Sequence, residues 1–166
     1  IGKPVIARVN GFAIGGGNVF ATLCDLTIAA DTAKFGQVGP KVGSVDGGWG
    51  TALLARHIGD KKAREMWFLN DMYTAQQAAD MGLVNKVVSP AQLDGAVNAW
   101  TDTFAERSPT ALALAKRSFN ADSENIRGIS QMALNAVKLF YDTEESKEGV
   151  RAFTEKRKPD FHKYVK

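Results

Sequence analysis

The chain has 166 residues, 45% hydrophobic and 23% charged, with a formal charge of +3, a profile that fits a globular protein with enough length for one core and one domain. A single cysteine, Cys24, excludes a disulfide framework and fits a reducing compartment, so the cytoplasm is expected; His57 and His162 lack cysteine or carboxylate partners at ligand spacing, so no metal is expected. No apolar run approaches the ~20 residues of a membrane span, and no basic leader precedes a cleavage site.

In chain order, Val5, Ile6, Ala7 and Val9 form a buried strand candidate after Lys3-Pro4. Gly15, Gly16 and Gly17 lead into the apolar run Val19 to Leu23, which reads as the first turns of a helix whose N-terminal N–H groups point back over the glycines. That arrangement can stabilise an oxyanion; a plain strand-to-helix turn uses the same glycines. Cys24 falls in this apolar helix as a small buried hydrophobe, and Leu26 to Ala29 and Ala33 to Gly36 are further strands. A glycine-rich loop then presents Ser44 and Asp46.

Thr51 to His57 reads as a helix ending near Gly59, and Asp60 caps the next, which carries Ala63, Met66, Trp67 and Leu69. Thr74 with Gln77 forms a capping box for a helix closed by Gly82, and Leu83 to Val88 is the last strand. Ser89-Pro90-Ala91-Gln92 is a second capping box, opening a helix to about Arg107, and Ser108-Pro109 repeats the start signal. The spacing of Leu112, Ala115 and Phe119, then of Ile129, Met132, Leu134, Val137 and Phe140, predicts two amphipathic helices, and Glu144 to Lys156 a charged one. Basic residues gather at the end, at Lys147, Arg151, Lys156, Arg157, Lys158, Lys163 and Lys166, without a nucleic-acid motif; a phosphorylated small ligand or a solvated tail fits them better.

Strands first and helices after make an α/β fold. A sheet of three or four strands under so many helices looks incomplete, and the chain starts at Ile1 without methionine, so a fragment or processed piece is expected.

Asp46 either caps the helix that begins at Thr51 or faces a cleft as a general base or water-orienting group. Ser44 lacks a paired histidine and so positions rather than attacks, unless it only forms a turn. Gln37 and Trp67 need partners if buried, and Tyr141, beside Asp142, either packs in the core or offers its phenol to a site.

The runs VNGFAIGGGNVFATLCDLTIAA, FGQVGPKVGSVDGGWGTALLAR and AADMGLVNKVV resemble the crotonase (enoyl-CoA hydratase/isomerase) superfamily across the chain. The resemblance implies the C-terminal portion of a ββα spiral: residues 1–88 as a partial core with the active-site loops, and 89–166 as a helical region that assembles trimers or hexamers. It implies an acyl-CoA thioester as ligand, no nucleic acid, no membrane and no cofactor, and a thioester enolate held by two backbone N–H groups. One of these is that of Gly16; the other, with most CoA contacts, belongs to a segment before Ile1.

Family hydratases place glutamates where this chain has Val19 and Gly39, which removes the acid/base pair that adds water to a double bond. GPKVGS with Asp46 narrows the resemblance to the branch holding 2-ketocyclohexanecarboxyl-CoA hydrolase, which opens a ring, and 1,4-dihydroxy-2-naphthoyl-CoA synthase, which closes one. In both, residues matching Ser44, Asp46 and Tyr141 are catalytic. The synthase also uses the matches of Gln37, Gly39 and Trp67 to hold bicarbonate, and that of Lys156 to meet a CoA phosphate. FGQVGP, GSVD and the C-terminal runs look closer to the hydrolase, whereas Gly47 matches the synthase and Trp49 departs from the tyrosine of both. Hydrolytic ring cleavage is the preferred expectation; the synthase, or an idle assembly module, are the alternatives.

Overall fold

The computed structural model describes residues 1–164, so Lys166 and the end of the 89–166 segment lie outside the described residues. Strand β1 (Ile6–Val9) runs parallel to β3 (Leu26–Ala30), which pairs in parallel with β6 (Lys86–Val88). A second sheet sets β2 (Phe12–Ile14) parallel to β4 (Lys34–Gly36), with β5 (Met72–Thr74) antiparallel on its other side. The mixed α/β architecture follows from this order, since each parallel step needs a crossover, and α1 (Gly16–Leu23) supplies the one between β2 and β4 together with β3.

Two strands escape the sequence pattern, β2 and β5, each three residues long and too short to show an alternation. Strand β6 is also shorter than expected, because Leu83 and Val84 turn into the core before it begins. The first core gathers Phe35, Leu54, Met66, Trp67, Leu83 and Val84 between the sheets and α2 (Ala52–Ile58), α3 (Asp60–Leu69) and α4 (Ala75–Asp80). A smaller cluster seats Leu93 and Ala96 of α5 (Leu93–Ala105) on Ile28 and Ala30 of β3.

Local signals explain most helix ends. Thr74 and Gln77 form the reciprocal capping box, with Gln77 N–H donating to Thr74 Oγ1 at 3.1 Å and Thr74 N–H to Gln77 Oε1 at 2.8 Å. Ser108 accepts from Ala111 N–H at 3.3 Å to start α6 (Pro109–Ala121). Three expectations change. Asp60 does not cap α3: Gly59 holds that place, and the Asp60 carboxylate accepts from Arg64 at 2.7 Å one turn on. Ser89 spends its hydroxyl on the Gln92 side chain at 3.0 Å, and Pro90–Gln92 form a 3-10 turn ahead of α5. Cys24 lies just past α1 in extended backbone, half-buried, where burial pushes its thiol up.

Helix α6 buries no residue; it is held by Lys116, which donates to Asp25 at 2.6 Å and to the Lys3 carbonyl at 2.9 Å. Helix α7 (Arg127–Tyr141) leaves Met132, Leu134 and Leu139 exposed. Helix α8 (Glu144–Thr154) returns to the core and docks on the 3-10 turn Pro40–Val42.

Candidate active site

The loop from Gln37 to Thr51 is built from contacts that cross the chain. Its 3-10 turn is held by Asn70, whose left-handed backbone ends α3 (φ 57°) and whose side chain accepts from Lys41 N–H at 3.0 Å and donates to the Trp67 carbonyl at 2.8 Å. Ser44 N–H donates to the Gly39 carbonyl at 2.8 Å. Beyond that turn Ser44 meets Tyr141, the last residue of α7: their hydroxyl oxygens lie 2.7 Å apart across 97 residues of sequence, and either can donate. Tyr141 is 51% exposed, so the pair faces an accessible surface rather than the core. Tyr141 is therefore not packed in the core, as one of the two sequence alternatives had it; its phenol is bonded to the Ser44 hydroxyl.

Asp46 is fully bonded within its loop. Its Oδ1 accepts from Gly48 N–H at 3.1 Å and Gly50 N–H at 3.0 Å, and its Oδ2 from Thr51 N–H at 2.9 Å and Thr51 Oγ1 at 2.7 Å. Four donors fill the four lone-pair sites of a carboxylate. A substrate or water proton can reach Asp46 only where a donor turns away, and the Thr51 hydroxyl is the one free to rotate. The helix-cap alternative is thus replaced by a brace within the loop, because Asp46 stands too far ahead of Ala52 to reach the first N–H groups of α2.

Gly50 is where the pieces converge. A Cβ there would lie 2.8 Å from Val19 Cγ2 of α1, 2.9 Å from Asp46 Oδ1 and 2.9 Å from the Trp67 ring, so only glycine lets these three approach. Val19 follows Gly16 by three residues, which ties the start of α1 to the Asp46 loop. Gly16 itself is exposed at the first position of α1, with open space where a Cβ would stand, while Gly15 behind it adopts φ 55° and donates to the Gly36 carbonyl at 3.0 Å. The start of α1 thus presents free N–H groups to an open side.

Trp67 is 8% exposed and its Nε1–H donates to the Gly50 carbonyl at 2.8 Å, so it braces the loop and has no donor left for a ligand. Gln37 is 1% exposed, and its Nε2 has no partner. At Gly39, a Cβ would sit 3.1 Å from the Ser44 carbonyl and 3.3 Å from the Trp67 ring, which leaves no room for a longer side chain without movement of both. Lys156 is not brought to the site by any contact: it is exposed in left-handed backbone (φ 53°) just past α8.

Sequence reading missed the supports. Asn70, Thr51, Ser146 and Gly149 carry the loop, and of these only Gly149, an isolated glycine within a helical pattern, left a signal. Among the described residues no group of three His, Cys, Asp or Glu side chains gathers as a metal site, and no helix is long and apolar enough to cross a membrane.

The family model described as enoyl-CoA hydratase/isomerase matches residues 1–164. Among solved structures, an enoyl-CoA hydratase/isomerase from Pseudoalteromonas atlantica T6c is similar at a TM-score of 0.91 and 27% identity, over 96% of this chain and 65% of that one. A carnitinyl-CoA hydratase from Mycobacterium avium follows at 0.88 and 31%, over 96% and 63%. A methylmalonyl-CoA decarboxylase superposes at 0.83 and 30%, over 96% and 64%. The chain spans about two thirds or slightly less of these proteins, 63–65% of their length.

Proposed function

We propose, from the premise that this chain belongs to the enoyl-CoA hydratase/isomerase family of the crotonase superfamily, that it processes an acyl-CoA thioester through an enolate and that its reaction is hydrolytic ring cleavage of a cyclic β-ketoacyl-CoA. The observation that carries this reading is the Ser44–Tyr141 hydroxyl pair at 2.7 Å. It is a proton-handling group made without carboxylates, in a chain that has Val19 and Gly39 where family hydratases carry glutamates. The crowding at Gly39 supports the same reading, because even a Cβ there would require the Ser44 carbonyl and the Trp67 ring to give by a few tenths of an ångström.

In this scheme the Gly16 N–H holds the thioester oxygen, where donors aimed at developing charge stabilise the enolate. Asp46 orients water toward the ring ketone once the Thr51 hydroxyl turns aside. Water adds to the ketone carbon, and the bond from that carbon to the α-carbon breaks. Its electron pair becomes the enolate and the ketone carbon becomes a carboxylate at the far end of the opened chain; of the two protons that water brings, Tyr141, held by Ser44, relays one to the α-carbon and the other is released to solvent. Ring-closing synthase chemistry is the second reading, since Gly47 and Gln37 suit it. Its bicarbonate is poorly served: Gln37 Nε2 offers a donor, but the Trp67 N–H is engaged by Gly50. No step is routed through that ion.

The partial core at 1–88 supplies Gly16, Ser44 and Asp46 and the helical region 89–166 supplies Tyr141; the exposed apolar side of α7 is the face proposed for trimer or hexamer assembly, with Lys156 as a CoA-phosphate contact across subunits. The test is to incubate the chain with 2-ketocyclohexanecarboxyl-CoA and, separately, with o-succinylbenzoyl-CoA with and without bicarbonate, and to weigh the products. Pimeloyl-CoA supports ring cleavage; a bicarbonate-dependent naphthoyl product supports the synthase. CoA-thioester binding by calorimetry with neither product rejects both, and no binding leaves an idle assembly module.

A further inference from the structure

The peptide between Gly43 and Ser44 is held at both ends. Its N–H, on Ser44, donates to the Gly39 carbonyl at 2.8 Å, and its C=O, on Gly43, accepts from the Ser146 hydroxyl at 2.9 Å. Ser146 is 3% exposed and sits in the first turn of α8, where its own N–H is capped by Thr143 Oγ1 at 3.3 Å. One turn on, Gly149 lies so close to the loop that a Cβ would stand 2.2 Å from the Val42 carbonyl oxygen and 2.6 Å from Gly43 N. Gly43 is equally confined: it has φ 68°, and a Cβ there would meet the Ser146 carbonyl oxygen at 3.0 Å.

Tyr141 ends α7 and Ser146, five positions later, lies in the first turn of α8, with the α7–α8 corner fixed by Thr143 Oγ1 donating to the Phe140 carbonyl at 2.6 Å. The corner therefore touches the Ser44 peptide twice, through the Tyr141 phenol on the side chain and the Ser146 hydroxyl on the backbone. Fixing the plane of that peptide fixes the direction of the Ser44 Cα–Cβ bond, and so the place where its hydroxyl meets the phenol. Behind α8 stands Glu148, buried, gripped by Arg157 at 2.6 and 3.1 Å and by Asp160 N–H at 2.9 Å, which seats the C-terminal segment on the outer side of the same helix.

We propose that Ser146 and Gly149 are positioning residues, a clamp on the Gly43–Ser44 peptide that preforms the Ser44–Tyr141 pair. The role in turnover rests on the proposed function above; the geometry of the clamp does not.

The test separates the two. Tyrosine isotope-labelled at the phenol carbon gives signals for Tyr73, Tyr141 and Tyr164, with Tyr141 assigned by its loss in Tyr141→Phe and its hydrogen-bond-free position read in Ser44→Ala. Ser146→Ala, which shortens a buried side chain, and Gly149→Ala are then compared with wild type after circular dichroism has established folding. The Tyr141 signal is expected to move toward its Ser44→Ala position in both while that of Tyr73, in the other core, stays. With substrate, kcat is expected to fall about tenfold with KM within about twofold, since loss of one hydrogen bond displaces the pair without touching the ligand site. If Gly149→Ala fails to fold, Ser146→Ala decides alone. A folded Ser146→Ala whose Tyr141 signal stays at the wild-type position overturns the clamp, and a moved signal with unchanged kcat overturns the positioning role. Wild-type turnover in Ser44→Ala, or none in wild type, rejects the catalytic reading instead, while the signals still judge the clamp.

Discussion

Replacing Asp46 separates its place in the loop from the role proposed for it in turnover. In Asp46→Ala, Gly48, Gly50 and Thr51 lose the acceptor of their N–H groups and Thr51 loses that of its hydroxyl. A hydrogen bond to a charged group contributes about 1.5–3 kcal/mol net, and a neutral one about 0.5–1.5 kcal/mol. The loop is partly open to water, which replaces some of these bonds, so the expected loss is about 2 kcal/mol. Asp46→Asn keeps one acceptor oxygen for Gly48 and Gly50 and strands only the Thr51 N–H, which sets its cost at about 1 kcal/mol. Urea unfolding followed by tryptophan fluorescence reads both, with midpoints lowered by about 1 M and about 0.5 M for a typical urea slope near 2 kcal/mol per M. Amide exchange should accelerate at Gly48, Gly50 and Thr51 in the same order. If Asp46 also orients the attacking water, Asp46→Asn loses at least about a hundredfold in turnover despite its small stability cost, and Thr51→Ala, which opens a lone pair, keeps its turnover. An unchanged urea midpoint in Asp46→Ala would refute the bracing geometry, and full turnover in Asp46→Asn would refute its catalytic use.

Ser44→Ala and Tyr141→Phe each remove one half of the exposed hydroxyl pair, so each should cost less than about 1 kcal/mol in unfolding experiments yet about a hundredfold in turnover, with the double variant no slower than either single one. Glu148 is held down to about 2 by Arg157 first and by the Asp160 N–H second, against an ordinary 4.5. Its contribution is therefore present above pH 4.5 and lost as the pH falls toward 2, and Glu148→Gln should remove that acid limb from the pH dependence of unfolding. Tyr73 is pushed up to about 12 by burial and by its bond to Glu65, from 10.0, so what it contributes is intact below pH 10.0 and lost as the pH rises through about 12. Ultraviolet titration of Tyr73→Phe should lack that last ionisation, and an unchanged alkaline curve would count against the burial argument.

What the sequence could reveal was set by distance along the chain. The capping box at Thr74 and Gln77 and the helix start at Ser108-Pro109 are contacts across three residues, and both stand as read. Asp60 and Ser89 show the limit of the same rule, because a nearby Arg64 and Gln92 offered their side chains better partners than the backbone did. Phe12–Ile14, pressed between Gly11 and Gly15, carried too little pattern to be seen apart from its pairing with Lys34–Gly36. At the site, Ser44, Asp46 and Tyr141 stood out as residue types, but a carboxylate among glycines looks alike as cap and as base until its donors are known. That the Trp67 N–H is taken by Gly50, 17 residues away, could not be read from spacing at all.

Close approach at three glycines sets the packing around the loop: a Cβ at Gly39 would meet the Ser44 carbonyl and the Trp67 ring, one at Gly50 the side chains of Val19, Asp46 and Trp67, and one at Gly149 of α8 the Val42–Gly43 peptide. Gly39→Glu sets a Cβ 3.1 Å from the Ser44 carbonyl and 3.3 Å from the Trp67 ring, so grafting a hydratase pair by Val19→Glu and Gly39→Glu is expected to shift the Ser44 peptide. Measured hydration of an enoyl-CoA by that double variant, with its urea midpoint unchanged, would refute the crowding argument. Under the proposed function, proton handling is expected to rest on the Ser44 and Tyr141 hydroxyls, which meet across 97 residues, and hydration of an enoyl-CoA by the wild-type chain would refute that reading.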